Sequence, residues 1–332
     1  MIDLGTGHPA VHTTRRETVP AAPVPEPTQE QSAPAREQPR AEPGIDGPAP
    51  TYGTVDPTRV AGIDPTRVAG IDLGTGGAPS MSAVTLSLDE ANYLVDKLDL
   101  DQLPVVLDVL GRFDTVDERD DAHRAAAASL DSRGLARYGT PLPELAEWLR
   151  VVARPRWEIA LRWHVDGVVS RLCLSRGDDY SVLTLRAGDS LVVQDPGADP
   201  LGAVAGAIGS QPPMQFGAIN APTAQLSEAF DEAATPQSLT NRLGTLGAGP
   251  DDAAAVARAM VGCSTFAEIV GIVYGDGKYD PLDGPVTVFD TELGRIVGTS
   301  STSAHGVAWS SLSPGTPARL RQALEGLVDR LV

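Results

Sequence analysis

Lysine is nearly missing from this chain of 332 residues: only Lys97 and Lys278 stand among 26 basic residues, and abundant alanine, glycine and proline match GC-rich coding. Basic residues are also outnumbered, 26 against 44 acidic ones, for a formal net charge of −18. Such a surface repels a phosphate backbone, so no nucleic-acid partner is expected. Cysteine is limited to Cys173 and Cys263. So distant a pair makes neither a disulfide framework nor a metal knuckle, and both read as interior thiols. Apolar runs stay below the roughly eighteen residues a membrane span needs. The N-terminus lacks the basic, apolar, small-residue order of a secretory leader. The reading is a soluble cytosolic protein with no membrane insertion.

Catalytic patterns are missing too. No Gly-x-Ser-x-Gly elbow occurs, and His305 near Ser303 falls in a hairpin loop rather than on a nucleophile turn. The acidic run Asp117 to Asp121 sits at a helix start, where the helix dipole favours negative charge. Asp276, Asp280, Asp283 and Gly284 resemble a calcium loop, but Lys278 stands where an oxygen ligand belongs. His123 and His164 lack a second ligand at zinc spacing. Neither an enzyme nor any cofactor or metal is expected.

What is present divides into a tail and a body. Residues 1–80 hold 13 of the 28 prolines and 10 of the 34 glycines, but only 12 Leu, Ile, Val or Phe. So little apolar surface cannot offset ordering entropy, and the segment reads as a disordered tail. It repeats itself: Asp56 to Gly62 recurs as Asp64 to Gly70, and Ile2 to Gly7 as Ile71 to Gly76. Two copies do not make a solenoid, and the second string lacks the flanking strand and helix of a phosphate loop.

The body, 81–332, alternates between two periodicities. A capping box, Ser87 with Glu90, opens a first helix; Thr115 with Glu118 opens a second that stops near Gly134; a third starts at Thr140-Pro141 and ends before Pro155. Period-two alternation follows, with Trp157, Ile159, Leu161 and Trp163 on one strand face, and strands near 168–175, 180–186 and 190–195. Those tryptophans and Leu161 are expected to pack beneath the helix that carries Trp148. A helix at 199–208 closes the first half. The second half replays the order: helices at 223–233, 236–245 and 251–261, strands near 265–274, 285–290, 294–301 and 306–312, and a helix at 316–331. Short turns between strands imply antiparallel pairing. The expected fold class is therefore α+β, a central antiparallel sheet with helical bundles in two pseudo-symmetric halves, about 81–210 and 211–332.

Several scattered pieces carry a resemblance. They are Glu147 to Val152 followed by Pro155, Phe289-Asp290-Thr291 with Gly294 to Val297, and Trp309, Leu312, Ser313 to Thr316 and Arg319-Leu320. In that order, over about 250 residues of helices and strands repeated twice, the body resembles the EspG family, chaperones of type VII (ESX) secretion. The resemblance implies a cytosolic chaperone that holds PE-PPE heterodimers by the apolar tip of the PPE helical bundle and marks them for one secretion system. It also implies that the sheet and the helical bundle of the C-terminal half hold that tip. Within that region alternation selects Arg162, His164 and Arg171 on the strand face opposite the tryptophans. Gln237, Asn241 and Arg258 are polar positions on amphipathic helices of the second half. The alternative from another class is a small-molecule enzyme or ligand-binding domain on the same sheet, which needs a pocket of convergent polar groups.

Overall fold

A computed structural model describes residues 81–109, 113–275, 278–303 and 305–332. The proline-rich segment 1–80, with its repeats, and Asp276 of the calcium-like loop lie outside the described residues.

The first half opens with strand β1 (Ala83–Ser87), which runs straight into helix α1 (Leu88–Lys97). The Ser87 hydroxyl accepts from the Glu90 amide at 3.1 Å, and the Glu90 carboxylate accepts from the Ser87 amide at 2.8 Å, the expected capping box. A 3-10 turn (Val105–Leu107) leads to α2 (Val116–Ser132), the small hairpin β2 (Ala136–Arg137) and β3 (Thr140–Pro141), and α3 (Pro143–Ala153). A four-strand meander follows: β4 (Trp157–Val165), β5 (Val168–Arg176), β6 (Ser181–Ala187) and β7 (Ser190–Gln194); α4 (Pro200–Ile208) ends the half.

The second half repeats this plan with β8 (Ile219–Pro222), α5 (Thr223–Asp231), α6 (Pro236–Thr245), α7 (Pro250–Met260) and β9 (Thr265–Gly275). After β9 come the short β10 (Lys278–Pro281), then β11 (Val286–Thr291), β12 (Gly294–Thr302), β13 (Ala308–Pro314) and α8 (Pro317–Val328). Among the described residues these strands pair antiparallel, in the order β1-β7-β6-β5-β4-β9-β11-β12-β13-β8, with β10 hung on β9. The order reads alike from both ends. In each half the leading strand pairs with the last strand of its meander, and β4 pairs with β9 at the centre. The α+β architecture with two related halves around one antiparallel sheet is thus observed.

Three expectations change. Strands β1 and β8 precede the helices of each half, where the sequence reading began each half with a helix. The third helix starts at Pro143, not at Thr140-Pro141, because Pro141 pairs with Ala136 across a two-residue turn. Tyr138 (φ 51) and Gly139 (φ 71) both adopt the left-handed conformation that such a hairpin turn demands. Finally, the face of Ile159 and Leu161 packs not under the Trp148 helix but under α4 and α8, in one core with Leu174, Val204, Ile269 and Leu324. Trp157 and Trp163 are only half-buried at its margin. Helix α3 lies on the other face, where Leu145, Trp148, Leu149 and Val152 cluster with Ala160, Cys173 and Val182. The strand register is as expected; the helix above it is not.

Arg295 joins the halves. It is 4% exposed and grips Asp290 through two contacts of 2.6 and 2.7 Å. Its guanidinium also donates to the carbonyls of Gly209 (2.8 Å) and Ile208 (3.4 Å) at the end of α4. A cation at that helix terminus satisfies open carbonyls. Gly315 passes so close that a Cβ there would lie 2.2 Å from the Arg295 side chain. Thr316 then caps α8 by accepting from the Arg319 amide at 3.1 Å. The strings Phe289 to Val297 and Ser313 to Arg319 are therefore architectural.

Candidate functional site

Two helical groups share one face of the sheet. Helices α1 to α3 cover the outer strands of the first half, including Val84, Leu86, Val182 and Val193. In the second half α5 touches β8 and β13 while α7 touches β11, on the face where Ile219, Phe289, Ile296 and Leu312 are buried. Between the groups the middle strands are incompletely covered. Along β9, Ala267, Ile269 and Gly271 are buried toward α8, but Phe266, Glu268, Val270 and Ile272 on the opposite face are half-exposed.

Arg162, His164 and Arg171 project from this strip, since they share its alternation. Arg162 is the register partner of Arg171 on one side and Glu268 on the other, and His164 faces Phe266. The His164 and Phe266 rings stack, centroids 4.4 Å apart and 8° from parallel. Nε2 of His164 is buried without a hydrogen-bond partner among the described residues. Arg171 is also the register partner of Arg186. Outside the sheet, Asp108, just after the 3-10 turn, bridges Arg171 at 3.3 Å and Arg186 at 3.1 Å. Arg186 also donates to the carbonyls of Leu107 (2.8 Å) and Asp108.

A cavity of about 260 Å³ opens beside Arg162, walled by Leu103, Val105, Val106, Val270 and Ile272 and floored by Glu158 and Tyr274. Glu158 is 1% exposed and accepts from the Cys173 thiol at 3.3 Å. Burial pushes its carboxyl up, against the weaker pull of hydrogen bonds from Cys173 and Tyr274. Burial and the Glu158 charge together push the Cys173 thiol well above its ordinary value, which makes it a poor nucleophile.

The other three candidates lie apart. Gln237 and Asn241 are exposed one turn apart on α6 and bond to each other at 3.2 Å. Arg258 is exposed on α7. No hydrogen bond, ion pair or ring contact joins them to the strand residues among the described residues. The sequence reading missed Arg186, Asp108, Glu268 and Phe266. Three of them follow once the turns are located: hairpins centred on Asp166-Gly167 and on 177–180 align Arg162, Arg171 and Arg186 in one row, and β9 beside β4 adds Glu268 and Phe266. Asp108 comes from a loop, which periodicity does not reach.

The family model described as the EspG family matches residues 87–326, most of the chain. The chain belongs to the EspG family. Among curated relatives, the ESX-1 secretion-associated protein EspG1 of Mycobacterium tuberculosis is 27% identical over 263 residues, 77% of this chain and 90% of the relative. The ESX-3 secretion-associated protein EspG3 of Mycolicibacterium smegmatis is 25% identical, covering 75% and 87%. The type VII secretion system chaperone EspG5 of Mycobacterium tuberculosis, solved in complex with the PE25-PPE41 dimer, superposes with a TM-score of 0.62 at 18% identity. That match covers 75% of this chain and 96% of EspG5. It establishes the EspG fold for this body. Among the described residues, no helix is long and apolar enough to cross a membrane.

Proposed function

We propose that this EspG protein is a cytoplasmic chaperone of a type VII (ESX) secretion system that binds PE-PPE heterodimers. On this reading it takes the helical tip of the PPE subunit on the open strip of β4, β5 and β9, with α6 and α7 of the second half alongside. The carrying observation is that strip: half-exposed side chains run down the middle of a sheet whose outer strands are covered, in the fold of a chaperone solved with a PE-PPE dimer. Its apolar members, Phe266, Val270 and Ile272, suit an apolar tip, while Arg162, His164 and Arg171 with Gln237, Asn241 and Arg258 form a polar rim. The role is binding rather than catalysis.

The test is charge reversal on the rim. Arg171→Glu and Arg258→Glu are expected to weaken pull-down of a PE-PPE heterodimer while circular dichroism stays native. Full binding by both variants places the site elsewhere.

A further inference from the structure

The row across the open strip is electrostatically unusual. In a chain of net charge −18, Arg162, Arg171 and Arg186 are successive register partners on β4, β5 and β6. Like charges directly opposite one another destabilise a sheet, and from within the sheet only Glu268, the register partner of Arg162 on β9, offsets the row. A single carboxylate answers two of the three: Asp108 bridges Arg171 and Arg186. The Arg162 side chain is exposed and makes no ion pair among the described residues, and neither does its other neighbour, Glu268.

Asp108 comes from outside the sheet. Its carboxylate is 46% exposed and its backbone is left-handed, φ 53, a conformation Asp and Asn tolerate better than most residues. The same turn presents Val105, 67% exposed, at the mouth of the cavity beside Arg162. A guanidinium row flanked by apolar surface suits an anion that arrives attached to an apolar body, because the planar fork binds carboxylate in two contacts while the neighbouring surface is buried.

We infer that the arginine row is the anion-reading element of the partner site: an acidic side chain on the docking helical tip binds Arg162 and Arg171, and Asp108 occupies part of that place in the free chain. The inference rests on the partner reading above. Exchange of one carboxylate for another leaves the charge at Arg171 balanced, Asp108 keeps its contact with Arg186, and Arg162 gains an ion pair. Asp108 is then a competitor, and its removal strengthens binding instead of weakening it. An ordinary wet rim makes no such prediction.

The test takes a PE-PPE heterodimer that co-purifies with the wild-type protein and measures Kd by calorimetry for full-chain variants. Asp108→Asn keeps a residue tolerant of the left-handed turn and is expected to tighten Kd about two- to five-fold, the scale of a half-exposed ion pair. Arg162→Glu is expected to loosen Kd by roughly ten-fold or more, and the milder Arg162→Gln by less, with unchanged circular dichroism melts. Unchanged or weaker binding by Asp108→Asn, or unchanged binding by Arg162→Glu, overturns the inference and leaves the chaperone reading standing. If no PE-PPE heterodimer binds the wild-type protein, the chaperone reading fails and the inference with it.

Discussion

Glu158 shows how one buried side chain shapes both stability and site. Its carboxyl titrates above the ordinary value because burial disfavours the charged form. The sign follows from linkage: a group with a raised folded pKa stabilises fully below its unfolded pKa, about 4.3, and that contribution is lost as pH rises through the folded value. Glu158→Gln, which cannot ionise, is therefore expected to melt higher than wild type at pH 7 and alike at about pH 4. Asp290 matters through the charge it pairs with. Asp290→Ala leaves Arg295 buried and unpaired, and urea unfolding is expected to show a loss of about 3 to 5 kcal/mol. At this scale the sequence is legible where alternation decides, as for Arg162, His164 and Arg171 opposite the tryptophans. It is silent where a distant loop supplies the partner, as Asp108 does.

The starts of α1 and α2 are legible because their capping signals are local, whereas the Thr140-Pro141 signal belongs to a hairpin and not to the start of α3. Ser87 and Thr115 each accept from the amide three residues on, as expected, and Thr235 and Thr316 prove to do the same. Removing the Thr235 hydroxyl by Thr235→Ala frees a donor at the start of α6 and is expected to cost about 1 kcal/mol in thermal unfolding. Strands β1 and β8 are not legible, because each is short and runs into a helix with no intervening turn. The layer of helix α3 is not legible, because amphipathicity tells which side of a helix is buried but not against which face of a sheet. Ala160 and Cys173, small residues between larger ones, are the floor that receives α3. In a central strand buried on both faces, hydrophobicity alone does not separate the two.

At the scale of the molecule, the repeated order of helices and strands made the two related halves legible, but not the way they join. The centre of the sheet is the β4 and β9 pair, and the seam is closed by Arg295 holding the end of α4. The Met81 amide donates to both carboxylate oxygens of Glu144 at 3.0 and 3.1 Å, and the family match begins at residue 87. We propose that residues 1–80 serve neither folding nor capture. A protein beginning at Met81 is expected to keep its melting temperature, and a large drop contradicts that assignment. The central claim is capture of a PE-PPE pair. Its most direct measurement is co-expression of the full chain with PE-PPE pairs from the same genome, followed by size exclusion with light scattering. The account predicts that one pair elutes with the protein as a single peak at the summed mass of the three chains; separate elution of the protein from every pair contradicts it.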